Sequence, residues 1–297
     1  MQALFSLIPV LILVHFCFLV QCQPYVDVVN TQFIQYMAAD YRDETGAQLT
    51  CFQTTSELFA PIALRNKNFL LAGFASNHVH LKSDYLPTER DKKLTLRSFT
   101  LRIGGIKQWN SQWSTSVVMI PRISSDLRKW EKNDYQLGGA ILVTKQQEEN
   151  LWLKVGLYYN REHFGNYFMP LVGVDWRTSD RLNIFGVLPS SMKVEYQLAD
   201  QIYTGLAWRN VTTSYRLQGG DYVREGDPSW GHIRLSAFLS WYALEDIVIN
   251  LDAGHSVSRR YRLHSKQHDL LPNHEFNRDS KNGIFISLGL AYRLRRE

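Results

Sequence analysis

The chain has 297 residues, of which 45% are hydrophobic and 13% aromatic, and it carries a formal net charge of +5. That length suits one large domain or two small ones with enough apolar surface to bury. The 33 Lys and Arg are scattered rather than run together, which argues against nucleic acid as a partner.

The first segment, LFSLIPVLILVHFCFLV at 4–20, is apolar, uncharged and followed by QCQP. It reads as a secretory signal peptide over residues 1–22, leaving a single domain over 23–297. No Lys or Arg stands near Met1, so an uncleaved anchor is the alternative. Cleavage after Cys22 makes Gln23 the mature N-terminus. A lipidated Cys22 is the competing reading, disfavoured by Gln21 where a small residue is expected. Cys51 is then the lone thiol of the mature chain, which excludes internal disulfides as the source of stability.

Beyond residue 23 no apolar run approaches the roughly 18 residues of a membrane helix. Period-two alternation recurs instead, the mark of strands with two unlike faces. In LTLRSFTLRIGGI the apolar face moves from Leu94 and Leu96 to Phe99, Leu101 and Ile103, a slip that predicts a β-bulge. Leu151, Leu153, Val155, Leu157 and Tyr159 form one face of the next clear strand. Met192, Val194, Tyr196 and Leu198 oppose Lys193, Glu195 and Gln197, whereas LNIFGVLP just before them shows no face. Ile233, Leu235, Leu239 and Trp241 line another strand, and Ile247, Ile249 and Leu251 oppose Asn250, Asp252 and Gly254 in the one after. The last strand, IFISLGLAYRL, sets Ile284, Ile286, Leu288 and Leu290 against Ser287, Gly289, Ala291 and Arg293.

Short polar turns near 65–67, 108–111, 146–150, 178–181, 199–200 and 245–246 alternate with longer segments. The longer ones fall at 82–92, 124–133, 161–166, 212–229 and 259–282, with 189–190 a short exception. The expected fold is an all-β antiparallel transmembrane β-barrel of about 14 strands, or 12 if the weak segments do not count. It has short periplasmic turns, longer extracellular loops and both termini on the short-turn side. A soluble sandwich is the competitor, but its strands usually run about five or six residues, and several here run ten or more. An open sheet in lipid would leave its edges unsatisfied, so closure is the consistent expectation.

Ser287, Gly289, Tyr292 and Leu294 are spaced like the terminal strand read by the barrel-assembly machinery, a resemblance that makes that machinery an expected partner. Arg295, Arg296 and Glu297 extend past the usual stop. A second stretch, PLVGVDWRTSDRLNIFGVLPSSMKVEYQL at 170–198, resembles the central segment of a family of uncharacterised bacterial outer-membrane β-barrels known only as a domain of unknown function. The residues that carry it are Gly173, Asp175, Trp176, the LPS at 188–190 and Tyr196, with NFLLAG at 68–73 also familiar. The resemblance implies a barrel in the bacterial outer membrane and supplies no activity.

No catalytic, cofactor or metal site is expected. His255 and Ser256 are adjacent and so lie on opposite faces of a strand, where they form no nucleophile–base pair. His78 and His80 share a face but lack a third ligand. His264, His268 and His274 lie near Asp269 and Glu275 without a ligand frame. The charges expected to line the lumen are Lys154, Asp175, Arg177, Lys193, Glu195, Arg209, Arg234, Asp252 and Arg293. If that lumen is wet, the cationic surplus favours passage of small polar or anionic solutes. If the charges pair with one another, the barrel is self-plugged. Arg259, Arg260, Arg262 and Lys266 offer contacts to lipopolysaccharide phosphates, with a solvated loop as the plainer reading. The leading functional expectation is a passive channel or small-solute transporter rather than an enzyme. A structural or adhesive barrel acting through its loops and a membrane lipid hydrolase are the alternatives.

Overall fold

The computed structural model describes residues 23–42, 44–83, 93–129, 131–217, 227–264 and 278–295. The expected signal segment, with Cys17 and Cys22, lies outside the described residues, as do Lys266, His268, Asp269, His274 and Glu275. The first seven strands are β1 (Tyr25–Tyr41), β2 (Glu44–Ala63), β3 (Phe69–Lys82), β4 (Lys93–Gln108), β5 (Trp113–Ser125), β6 (Tyr135–Glu148) and β7 (Leu151–Glu162). There follow β8 (Gly165–Arg177), β9 (Leu182–Leu188), β10 (Ser191–Ala199), β11 (Ile202–Ser214), β12 (Asp227–Tyr242), β13 (Ile247–His264), the two-residue β14 (Arg278–Asp279) and β15 (Gly283–Arg295).

Each strand from β1 to β13 pairs antiparallel with the next, β13 pairs with β15, and β15 returns to β1. The result is a closed ring of 14 strands, with β14 added against β13 outside the ring. Closure leaves no strand edge without a partner, which is the condition for a sheet to cross lipid. The turns expected from the sequence separate these strands. The turn between β1 and β2 at residue 42 carries no Gly or Pro signal and escapes the sequence pattern.

The two faces of each strand behave as the alternation predicts. Along β15, Ile284, Ile286, Leu288 and Leu290 are between 46% and 55% exposed, while Phe285, Ser287, Ala291 and Arg293 are at most 2% exposed. Such an exposed apolar band is tolerable only against lipid. Most exposed aromatics stand toward its two limits, with Phe33 and Phe74 between them. Trp109, Trp113, Trp176 and Trp241 stand toward the short-turn rim, and Phe52, Tyr135 and Phe168 toward the long-loop rim. Rings with one apolar and one polar side settle at both membrane interfaces. Tyr135 and Lys145, the cross-strand partner of Trp113, bracket the exposed length of β6. At about 3.3 Å per residue and a tilt of about 40°, that ten-residue step climbs roughly 25 Å, the height of an outer-membrane apolar band.

Two expectations are corrected by register. β4 contains no bulge: it runs unbroken against β3 from Lys82↔Lys93 to Phe69↔Ile106, with Leu94, Leu96, Ser98 and Thr100 all buried. The apolar face did not slip. Leu94 and Leu96 point inward into an apolar interior, and Leu101 and Ile103 point outward. Register shifts lie elsewhere, among them in β1 between Tyr36 and Ala39 and in β13 opposite Gly231 and Ile233. In β13 the extra residue falls at Ser258, whose φ is +52°, and the buried set moves from Asn250 and Ser256 to Arg259, Tyr261 and Leu263. That change of parity is why the strand seems to end at Arg259 in the sequence; it continues to His264.

Candidate functional site in the barrel interior

The interior has two unlike halves. Toward the long-loop rim it is dry. Ile34, Tyr36, Tyr41, Leu49, Cys51, Val79, Leu81, Leu94, Leu96, Trp230, Tyr261, Leu263 and Phe285 form one buried cluster with Tyr215 and Leu217. The last two are not barrel residues. They lie in a strap, residues 214–217, that stays tied to β12 at Ser214 and through Tyr215 N–H to Pro228 O at 2.8 Å and then folds inward.

The strap is fastened at both sides. Across the barrel, Asn77 on β3 donates to the Tyr215 hydroxyl at 3.0 Å. β3 and β11 are nearly diametrically opposite in the ring. Arg216 exchanges backbone bonds with the end of β5, its N–H to Ser124 O and its carbonyl from Asp126 N–H, each 3.1 Å. Its guanidinium reaches Glu131 at 3.1 Å. Glu162, at the end of β7, is the central anchor. Its carboxylate accepts from Ser214 Oγ at 2.6 Å, Ser214 N–H at 3.2 Å, Asn160 at 2.5 Å and Gln136 at 3.3 Å, and it pairs with Arg122 at 3.3 Å. A buried carboxylate is stable only when so many donors replace water. Ser214 Oγ also accepts from His163 N–H at 2.8 Å, while His163 Nε2–H donates to Ser124 O. Burial lowers the His163 pKa below the usual histidine range and raises that of the Tyr215 hydroxyl, because desolvation disfavours both charged forms.

Toward the short-turn rim the inward side chains are polar and leave space. A cavity of about 350 Å³ lies against β1–β7, lined by Asp27, Glu57, Arg102, Thr144 and Lys154 among others. A second of about 200 Å³ lies against β9–β13, β15 and β1. Most charges here are matched. Lys154 pairs with Asp175 at 2.5 Å across β7 and β8, with both side chains buried. Gly173 stands opposite Lys154, and a Cβ there would come within 2.5 Å of the Gly186 carbonyl, so the glycine lets β8 and β9 close up beside this pair. Arg293 pairs with Asp27 at 2.5 Å across the seam between β15 and β1, stacked 3.7 Å from the Tyr25 ring centroid. Glu195 is fully buried and holds Arg295 at 2.5 Å. Lys193 donates to the Tyr25 hydroxyl at 2.9 Å and lies over Phe238.

The nine lumen candidates thus divide. Lys154, Asp175, Lys193, Glu195 and Arg293 are tied into the wall, and Arg177 stands exposed at the short-turn rim. Arg209, Arg234 and Asp252 share the second cavity, and neither arginine has a carboxylate within ion-pair reach among the described residues. Sequence reasoning missed Asp27, Arg295 and Glu162. Asp27 was findable, because closure of the last strand on the first places it opposite Arg293. Glu162 carried no signal, since its partners come from four separate strand ends.

The other candidates do not converge. His78 and His80 lie on the outer face of β3, His80 bonded to Thr95 at 3.0 Å. His255 is exposed and Ser256 is buried on the opposite face. His264 bonds Ser229 at 3.0 Å. Arg259 is not free for lipopolysaccharide: the bulge at Ser258 turns it inward over the Tyr36 ring, 5.5 Å from the centroid. Arg262 pairs with Asp279 at 2.5 Å, leaving Arg260 as the exposed arginine of that group. No group of three or more metal-ligating side chains is present among the described residues.

Three solved structures are similar to the chain at low identity. An outer membrane channel from Pseudomonas putida F1 is 9% identical, covers 90% of this chain and 93% of its own, and has a TM-score of 0.47. A FadL homologue from Pseudomonas aeruginosa is 11% identical over 89% of this chain and 88% of its own, with a TM-score of 0.46. The NanC porin is 11% identical over 90% of this chain and 100% of its own, with a TM-score of 0.40. No curated protein matches. Residues 72–293 match the family described as Domain of unknown function (DUF6268), a span that holds Gly173, Asp175, Trp176, the turn at 188–190 and Tyr196. A closed barrel with an apolar outer belt, carrying these residues at the β8–β10 wall, is therefore a member of the DUF6268 family.

Proposed function

We propose that this barrel is an outer-membrane channel for small polar solutes with a preference for anions, and that residues 214–217 hold it shut in the conformation described. The observation that carries the reading is the division of the interior. A polar chamber with a cationic surplus opens at the short-turn rim and ends against a dry cluster and a strap tied by side-chain bonds. A purely structural barrel has no use for uncompensated arginines on its inner wall, which cost free energy unless water or an anion reaches them. In this reading the short turns face the periplasm, the outer belt sits in outer-membrane lipid with lipopolysaccharide at the long-loop side, and the last strand is the segment presented to the assembly machinery.

The test is conductance of the refolded protein in planar bilayers, with the reversal potential measured under a salt gradient. The expected result is brief, infrequent openings, with a reversal potential of the sign set by anions. A membrane that stays silent for both the parent protein and a Glu162→Ala variant, which removes the strap's anchor, overturns the channel reading.

A further inference from the structure

The cavity of about 200 Å³ brings together a pair of facing arginines and two unpartnered polar side-chain atoms. Arg209 on β11 and Arg234 on β12 are direct cross-strand partners, so two guanidinium groups project inward side by side. Like charges directly opposite in an antiparallel pair repel. Elsewhere inside the barrel several cations are given a carboxylate, as Lys154 is by Asp175, Arg293 by Asp27 and Arg295 by Glu195, whereas Lys193 bonds the Tyr25 hydroxyl and Arg259 lies over Tyr36. Arg234 is 7% exposed and lies 5.7 Å from the Phe285 ring centroid, with the Tyr36 hydroxyl beside it and no carboxylate in ion-pair reach among the described residues. The cavity is lined by four cationic side chains, Lys193, Arg209, Arg234 and Arg293, against two carboxylates, Asp27 and Asp252, a surplus of two positive charges.

The second feature is unspent hydrogen-bonding capacity. Ser287 is 2% exposed, lines the same cavity, and its Oγ has no partner. Asn30 also lines it, and its Oδ1 is buried and unpartnered. Buried polar atoms without a partner occur elsewhere on the inner wall too, as at Asn160 Oδ1 and Ser256 Oγ, but these two line the same cavity as the arginine pair, where another molecule can complete the bonding.

The geometry points to a binding site for a phosphate dianion, as free phosphate or as a phosphate monoester, with Arg209 and Arg234 as its principal ligands. Two guanidinium forks suit a tetrahedral oxyanion that offers several acceptor oxygens, and two negative charges cancel the surplus. Ser287 Oγ donates to a third oxygen. Asn30 Oδ1 is an acceptor, so it favours hydrogen phosphate, whose one P–OH can donate to it, over sulfate, which has no donor; a phosphate monoester dianion can meet it only through a hydroxyl of its organic group. The site deepens the channel reading by naming its solute class, but it stands on residues that can be tested without transport.

Isothermal titration of the full mature chain in detergent with inorganic phosphate, sulfate and succinate tests it. The expected result is saturable phosphate binding at least tenfold tighter than sulfate or succinate, lost by tenfold or more in Arg209→Gln and unchanged in the rim control Arg177→Gln. Arg209 is itself exposed to the lumen, so that variant keeps the wall intact; Ser287→Ala is the second, with a smaller loss expected. No saturable binding, or binding that Arg209→Gln and Ser287→Ala both leave unchanged, overturns the site. Equal affinity for sulfate and phosphate overturns the phosphate assignment. Binding without conductance removes the channel and keeps the site, whereas anion-selective conductance without binding does the reverse. A titration with a phosphate monoester such as glycerol phosphate separates the two sources of the dianion.

Discussion

The two halves of the interior solve the same problem by opposite means. Near the long-loop rim, a cluster of Leu, Val, Tyr and Trp closes the space by packing as in a soluble core, beside the polar network that Glu162 gathers at the strap. Near the short-turn rim, inward positions are charged, and order comes from discrete pairs such as Lys154–Asp175 and Arg293–Asp27. Packing stabilises in proportion to buried area and tolerates no gap. Pairs stabilise little against an apolar replacement, but they keep a wet wall rigid and punish loss of one partner. In the channel proposed above, one end held shut and the other open to water would have a use for both.

The sharpest way to break that contrast is to remove one group from each half. Trp230→Ala empties a fully buried ring from the cap and is expected to cost about 3–5 kcal/mol in urea unfolding from lipid. Lys154→Ala is expected to cost a similar about 3–5 kcal/mol, because Asp175 is left buried and unpaired. The halves then separate in the rescue. Replacing Lys154 and Asp175 together by Met and Leu should restore most of the stability, whereas no second substitution near Trp230 fills its cavity. If the double variant is as unstable as Lys154→Ala, the pair is not what the polar half depends on.

The strap is the boundary between the two, and its anchor should matter less to stability than to opening. Glu162→Gln keeps the shape but removes the charge that Arg122 and the donors from Ser214 and Asn160 address. Charge-assisted bonds of this kind contribute about 1.5–3 kcal/mol each. Loss of one is therefore expected to raise the open fraction in single-channel recordings by about tenfold or more, with only a modest shift in unfolding midpoint. An unchanged open fraction would mean that the strap is wall rather than gate.

The smallest effect is the one at His163, and it concerns pH. Burial holds its folded-state pKa below that of the unfolded chain, so the unfolded state takes up the proton first. Stability should be full above the unfolded value, near pH 6.5, and fall as pH drops through it, by at most about 1.4 kcal/mol per pH unit. His163→Gln should flatten that part of the profile. A slope of the same size in the variant would assign the acid sensitivity to other groups.

Much of the barrel was legible because a strand with one face in lipid must alternate, and β15 does so without a break over 284–294. The turns were legible for the same reason, as polar gaps between alternating runs. What alternation cannot convey is which apolar residue faces out. Leu96 and Leu101 look alike in sequence, yet one is buried in the cap and the other exposed to lipid. The bulge at Ser258 hid the end of β13 by exchanging the two faces in mid-strand. Most of the inward charges could be placed by parity, as at Lys154 and Asp175, and closure would have put Asp27 opposite Arg293, but Glu195 finds Arg295 on a strand that is not its neighbour and that pairing could not be read. The strap was invisible: Tyr215 belongs to no repeating pattern, and its contact with Asn77 spans the barrel.

The seam between β1 and β15 bears on how the barrel comes to exist. Every other pairing in the ring joins strands that follow one another closely, so hairpins can zip in order as the chain emerges. The seam alone joins positions at opposite ends of the chain, Tyr25 with Arg295 and Tyr36 with Phe285. Closing so long a loop carries the largest entropic cost of any contact in the molecule, although that cost grows only with the logarithm of its length. Contacts of this separation form late and set the folding rate. Asp27–Arg293 and the stacked Tyr25 sit at that last joint, where they act as a latch on a step that the other thirteen pairings can only prepare.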